Sequence, residues 1–527
     1  MKVKRMIALS LVLLMSALLL GGCGQQPASA PAETPAPASS AAPAESAAPQ
    51  KTARAAANEL NVGIAQDFDS LDPDLMTAAG TKEILFNVFE GLVKPNADGE
   101  IVPAVASEVV RSDDGLSYAF TLREGVKFHN GSPVTMKDLV YSVERRWKGE
   151  DATARLAALS VIDSLSVEDN VFTIRLFEPS NEFLAAVMNA YILPADYADQ
   201  ATAPIGTGPY RFVSRAAQDS LVLERFADYW GTPASIDKVT FKILESADGL
   251  ILGLQSGALD LVAHLSSDQT AQLEPGDFRI ETGSMNLVQA LYLNNAEKPF
   301  DDIRVRQALC WAVDKQAVID LAFDGYGIPL GTSMFPTFKK YYDESLTDYY
   351  TLDTEKAKEL LAEAGYPDGF EMTITVPSNY TPHVNTATVL VELLREIGVK
   401  ASVQLVDWST WLEEVYGQRQ YQSTVTGVSS DNMTARKLLE RFGTEVGNNF
   451  TNYSDPAYDE TLAKALAATD DAEQTELYRA LERNLTENAA NVYLQDMADL
   501  VAVRSGLEGL TFYPLYVLDV AALSWSE

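Results

Sequence analysis

Phe370, Met372, Ile374 and Val376 alternate with more polar residues, Val384 to Ile397 carries helical apolar spacing and stops at Gly398, and Ala401, Val403 and Leu405 alternate again. Alternation sends successive side chains to opposite faces of a strand. Two strands joined by a crossover of this length pair in parallel, because a parallel partner cannot be reached through a tight turn. The segment therefore predicts a βαβ unit and an α/β protein. Leu60–Val62–Ile64, Tyr118–Phe120–Leu122 and Phe172–Ile174–Leu176 alternate in the same way, and 84–92 has helical spacing. Asp302 is expected to cap a helix running through Phe323. Its inner face would carry Val305, Ala308, Leu309, Ala312 and Val313, with Cys310 packed beside them. Asp353 is expected to cap another helix that ends at Gly365, with Pro367 just beyond.

The 527 residues, 47% of them hydrophobic, are enough for two to four domains and exclude a mainly disordered chain. Seventy-four acids against 40 bases argue against nucleic acid as a partner, since phosphate binding needs clustered Lys and Arg. Two cysteines, Cys23 and Cys310, exclude a disulfide framework and a Cys-rich zinc site. His129, His264 and His383 lie far apart, so no metal site is expected. The sequence has no Gly-x-Ser-x-Gly, no His-Glu-x-x-His, no P-loop and no Gly-x-Gly-x-x-Gly after a strand. Asp113-Asp114 and Asp301-Asp302 read as turn and helix-start acids. The chain is not expected to be an enzyme or to need a cofactor.

Lys2, Lys4 and Arg5 precede an apolar run from Met6 to Leu20, the pattern of a secretory signal, with an uncleaved anchor as the alternative. The run is short for a spanning helix. It ends in Leu20-Gly21-Gly22-Cys23, which resembles a bacterial lipobox. The resemblance implies a signal peptide over 1–22 and a diacylglyceryl group on Cys23, whose chains would hold the protein on a membrane. Residues 23–58 then form a tether rich in Ala, Pro and Ser, without apolar periodicity. Losing residues 1–22 removes three bases and no acids, which takes the side-chain charge from −34 to −37.

Several runs resemble one family: "DSLDP" (69–73), "FEGLV" (89–93), "SDDGLSYAFTLREGVKFHNGSPVTMKDLVYSVER" (112–145), "GTGPYRF" (206–212), "LERFADYWG" (223–231), "LQSGALDL" (254–261), "LNNAEKPFDDIRVRQALCWAVDK" (293–315) and "KAKELLAEAGYPDGF" (356–370). They are similar to the extracytoplasmic solute-binding proteins of peptide and nickel ABC importers. By their composition the runs read as structural. Asn130-Gly131 suits a turn, and Gly206 and Gly208 suit tight turns beside Pro209.

The resemblance implies the two-lobed periplasmic-binding-protein fold with a hinge. Lobe I would take 59–96, 205–292 and 498–527, an inserted subdomain 97–204, and lobe II 293–497. The hinge would lie near Asn294–Asn295 and Asp496–Val501. Ligand would sit between lobes that close on it.

Peptide-binding members carry Gly-Trp-x-x-Asp in lobe II, and its Asp takes the ligand α-ammonium. The matching stretch here is Gly427, Val428, Ser429, Ser430 and Asp431, with Val428 where the Trp is usual. The resemblance thus makes Asp431 the amine ligand, against a cap for the helix that follows. Trp408 matches a pocket-lining Trp, against a core or surface role. Asn379 and Tyr380 stand where dipeptide binders place a carboxylate-binding Arg, and 370–383 contains no Arg. Thr77 to Thr81, with Ala79, Gly80 and Thr81, corresponds to a lobe I loop that pairs with ligand backbone. Nickel binders use Arg, Trp and His in the cleft, and His383 is the only histidine near a cleft loop.

The expectation is a monomeric, lipid-anchored receptor outside the cytoplasm that delivers short peptides to an ABC importer permease and meets the membrane only through its lipid. The alternatives are the same role for an oligosaccharide, an opine or another amine-bearing solute, or a sensor lipoprotein without transport.

Overall fold

The computed structural model describes residues 56–526 apart from 152–153 and 431–432. The signal, Cys23 and most of the tether lie outside the described residues. No helix among the described residues is long and apolar enough to cross a membrane.

The predicted βαβ unit is present. Glu371–Pro377 pairs in parallel with Lys400–Val406, in register from Glu371 opposite Lys400 to Pro377 opposite Val406. The crossover helix is Thr381–Arg395 and starts earlier than its apolar spacing suggests. Pro382 in its first turn presets a helical φ and gives up an N–H that has no intrahelical partner there. Ile374, Val376, Leu390 and Leu394 close one core with Leu291 and Val425. Leu60, Val62, Val239, Phe241 and Leu261 close another.

The expected helix from Asp302 to Phe323 is two helices, Ile303–Ala312 and Lys315–Phe323. Val313 is extended, and the Asp314 carboxylate accepts the N–H groups of Gln316 and Ala317, so a second cap restarts the helix. The helical spacing over 84–92 also misled. The helix there is Ala79–Leu85, and Val88, Phe89 and Leu92 are buried by the tertiary fold. The Asp353 helix forms as expected over Thr354–Glu363, and Cys310 is a buried thiol.

Two long strands join the lobes. Phe278–Leu293 and Asn491–Arg504 pair antiparallel along most of their length. On one side Ser423–Ser429, Glu371–Pro377 and Lys400–Val406 follow in order. On the other lie Leu261–Leu265, Glu59–Ile64, Lys238–Ile243, Ser220–Arg225 and Tyr210–Ala216. The pairing of the long strands shifts register between Ser284 and Val288. Asn294 and Asn295, expected at the hinge, tie the end of the first long strand to neighbouring segments. The Asn295 amide donates to the carbonyls of Leu293, Thr451 and Ala490, and the Asn294 amide to those of Arg419 and Tyr421.

A separate four-stranded antiparallel sheet runs Ala106–Arg111, Ser117–Leu122, Val171–Leu176, Ile162–Glu168. The helix Met136–Lys148 belongs to the same part of the chain. The Asp138 carboxylate starts it by accepting the Thr135 N–H (2.9 Å) and O–H (2.6 Å). Its Arg145 binds Asp72 (2.6 Å) and Asp74 (3.1 Å), which joins the 112–145 and 69–73 runs. Gly206 and Gly208 do not have the positive φ of a tight turn. Their α-carbons lie against the Asn87 and Val88 backbone, where any Cβ would collide.

Candidate ligand-binding site

Asp69 shapes the first wall. Its carboxylate accepts the N–H (2.7 Å) and O–H (2.7 Å) of Thr77 and the N–H of Ala78 (3.0 Å). Burial opposes the charge, yet these bonds and one from Thr81 hold the carboxyl well below the usual range. The chain then enters the helix at Ala79, so the expected loop over 77–81 is half helix.

Beside this helix a cavity of about 940 Å³ reaches Met285, Asn286 and Leu287 on the first crossing strand and Ser429 and Ser430 beyond it. Phe86, Phe89, Tyr229, Trp230, Tyr513 and Tyr516 contribute aromatic rings to its wall.

Glu90 organises one end. It is buried, and its carboxylate accepts Tyr229 O–H (2.7 Å), Trp230 Nε1–H (2.7 Å), Lys94 Nζ–H (3.0 Å) and Thr207 O–H (3.4 Å). Lys94 and the Arg123 guanidinium lie 5.1 and 4.2 Å from the centre of the Trp230 ring system. Burial, reinforced by Glu90, pushes the Tyr229 phenol well above its usual range, so it remains a donor.

His264 ties three segments together beside Tyr516, a lining residue. Nδ1 lies 2.9 Å from Asp499 and Nε2 2.8 Å from Glu83, and the ring stacks on Tyr516 at 4.4 Å. Burial disfavours the charged ring, but the two carboxylates outweigh it and push the imidazole up to about 10. The imidazolium therefore donates to both acids and fixes the Ala79–Leu85 helix, the second crossing strand and Tyr516 against one another.

The register shift sits at the floor. Asp496 is fully buried and accepts the Ser284 hydroxyl and the Leu287 N–H (3.1 Å). Asn286, at φ 56°, donates from its amide to the Tyr513 carbonyl (2.8 Å) and accepts the Thr337 hydroxyl. Burial pushes Asp496 up to about 7 against those bonds.

Ala79, Ser429 and Ser430 line the cavity. Gly427 pairs with Gln289 on the strand before them, and a Cβ there would run into Leu287. Val428 pairs with Val288 and is buried in the core. Gly80 faces open space, while Thr81 is buried and accepts the Asp69 N–H at 3.3 Å. Asn379, Tyr380 and Trp408 lie outside the cavity lining, past the ends of the βαβ strands. Trp408 stacks on Trp411 (5.1 Å, 6°) and meets Tyr380 at 5.2 Å, yet Trp408 and Tyr380 stay 38% and 40% exposed. His383 is buried and meets Gln289 at 2.9 Å. Asp431 lies outside the described residues. The next helix among the described residues starts at Arg436, with Ala435 as its cap.

A model of bacterial extracellular solute-binding proteins, family 5 Middle, matches residues 100–450. The chain belongs to that family. The glutathione-binding protein GsiB of Pectobacterium atrosepticum is 29% identical over 462 residues, 83% of this chain and 88% of the relative. Heme-binding protein A of Haemophilus influenzae is 29% identical over 420 residues, 72% of this chain and 76% of the relative. The structure of HbpA2 from Haemophilus parasuis overlays with TM-score 0.79 at 25% identity, covering 89% of this chain and all of that one. The ABC transporter-associated binding protein DppA of Helicobacter pylori, in complex with the peptide STSA, overlays at 0.66 with 25% identity, covering 89% of this chain and 98% of that one. The murein tripeptide binding protein MppA, in its unliganded open form, overlays at 0.78 with 22% identity, covering 89% and 97%. These likenesses carry the two-lobed fold.

Sequence reading missed Glu90, Lys94, Tyr229 and Trp230, which line this cavity. A usable signal existed. Glu90 is an acid inside the apolar run Val88–Phe89–Glu90–Gly91–Leu92, and a buried acid demands donors.

Proposed function

We propose that the protein is a lipid-anchored extracytoplasmic receptor that takes a short peptide between its lobes and hands it to an ABC importer permease. The observation that carries this reading is the aromatic cavity of about 940 Å³ reaching from the Ala79–Leu85 helix to Ser429 and Ser430. Its volume is at the upper end of the small-molecule range. Asp431 follows directly on Ser430 and would take the ligand α-ammonium. The peptide bound by the Helicobacter relative, and that relative's association with an ABC transporter, support both parts of the reading.

The better overlay on an unliganded open form than on a peptide complex favours an open arrangement here. Trp408 and Tyr380, in contact at 5.2 Å but exposed, are then the lobe II aromatics that closure brings over the ligand. Lobe I would take 59–96, 205–292 and 498–527, with 97–204 inserted, and lobe II 293–497.

Native mass spectrometry of the purified protein tests the ligand class through the molecule that co-purifies. Asp431→Ala should weaken peptide binding by at least tenfold, and unchanged affinity across a peptide panel would remove the ammonium role. For the anchor, the N-terminal peptide from isolated membranes should carry acyl mass on Cys23, and Cys23→Ala should free the protein from the membrane.

Val428 in place of the usual Trp, and the absence of Arg from 370–383, favour a second reading with an oligosaccharide, opine or other amine-bearing solute. That reading wins if a peptide library gives no thermal shift while such a solute raises Tm.

A further inference from the structure

We infer that Lys94 makes lobe I selective for ligands that bear a carboxylate, which would seat between its ammonium and the Tyr229–Trp230 platform. The inference rests on the cavity being the ligand site.

Among the described residues, four charged side chains line the cavity: Lys82, Glu90, Lys94 and Asp519. Both carboxylates are satisfied from within the protein. Glu90 has its four donors, and Asp519 accepts the Tyr513 hydroxyl (2.8 Å) and the Ala521 N–H (2.9 Å). Among the described residues the charged groups with donors left to face a ligand are therefore the two lysines, inside a chain whose net charge is −34.

Lys94 is the better placed of the two cations. Its Nζ donates to Glu90 and to the Tyr229 hydroxyl (3.2 Å), which orients the head group and leaves its third N–H without an acceptor among the described residues. The side chain is one-third exposed at the cavity, whereas Glu90 behind it is 4% exposed. Tyr229 and Trp230 meet at 5.3 Å, and both are pinned by Glu90, so the surface beside the ammonium is preformed. A preorganised charged donor in a site that closure dries discriminates strongly between an anionic group and its neutral isostere. Such a group also supplies what 370–383 lacks, a cation for the ligand's acidic end, but from the opposite lobe.

The competing role for Lys94 is to hold Glu90 and nothing more. A panel of tripeptides, each as free acid and as C-terminal amide, separates the two by calorimetric titration of wild type, Lys94→Gln and Lys94→Arg. Lys94→Gln should weaken the free acids at least tenfold and leave the amides within about twofold, and Lys94→Arg should keep most of the preference. Equal loss on both forms, or none, overturns the inference. If Lys94→Gln melts below the assay temperature, the wild type still decides: an amide bound as tightly as its acid sinks the proposal. A wild type that binds no member of the panel in either form instead overturns the peptide reading beneath it.

Discussion

His129 meets the Gly208 carbonyl through Nε2 at 3.0 Å and accepts the Gly206 N–H on Nδ1 at 3.2 Å. An imidazole that donates at one nitrogen and accepts at the other is neutral. The ring is buried against Phe226 at 5.0 Å, and burial pushes it down to about 4. His129 thereby joins the 112–145 run to the 206–212 run.

The neutral imidazole gives a pH signature. Its folded pKa lies below the ordinary 6.5, so its contribution is complete above 6.5 and is lost as pH falls toward 4. Between pH 7 and 5 that loss is about 2 kcal/mol. His383, also pushed down to about 4 by burial, acts the same way, while Asp74 and Asp496, pushed up, act oppositely. Urea denaturation of wild type and His129→Asn at both pH values isolates the term. The wild type should lose about 2 kcal/mol more than the variant, and parallel curves would refute it.

Gly208→Ala places a Cβ within 2.6 Å of the Asn87 carbonyl oxygen. That backbone is also held by Tyr210 N–H and by the Asn87 amide on the Leu518 carbonyl, so it has little room to retreat. The substitution should cost about 2–4 kcal/mol, read as a fall in the denaturation midpoint with an unchanged slope.

Asp496 carries the opposite pH slope. Its folded pKa, about 7, is above the ordinary 3.8, so its contribution is complete below 3.8 and is lost as pH rises through 7. Asp496→Asn does not ionise and retains an amide that can meet Ser284 and Leu287. From pH 5 to pH 8 the wild type should lose about 2.5 kcal/mol relative to this variant, measured by thermal or urea denaturation.

Arg504 and Asp260 form a buried pair at 2.8 Å, with the Arg504 guanidinium also donating to the Leu254 carbonyl (3.2 Å) and the Asn61 N–H donating to Asp260 (3.0 Å). Arg504→Met removes the buried cation beside Asp260 and should cost about 3–5 kcal/mol. Adding Asp260→Leu should recover part of that loss. A single-mutant cost under about 1 kcal/mol would contradict the assignment.

Local readings succeeded where a short segment carries its own instructions. Alternation and Gly398 placed the βαβ strands and the end of their helix, and Asp353 marked its helix start. They failed where packing overrode periodicity. The apolar residues over 84–92 are inside because other segments cover them, and the Asp302 helix breaks because Asp314 offers its own cap. Of the residues the resemblance names, Ala79, Ser429 and Ser430 line the cavity, whereas Gly80, Thr81 and Trp408 do not.

By itself the sequence determined the α/β class, the family, the acidic surface charge and the expectation of a lipid on Cys23, since each depends on composition or on residues close together in the chain. Only the tertiary structure decided that Glu90 meets Trp230, 140 residues away, with Lys94 left facing the cavity. The physical reason is that a buried carboxylate must find donors wherever the fold brings them, and no local spacing records which segments those will be.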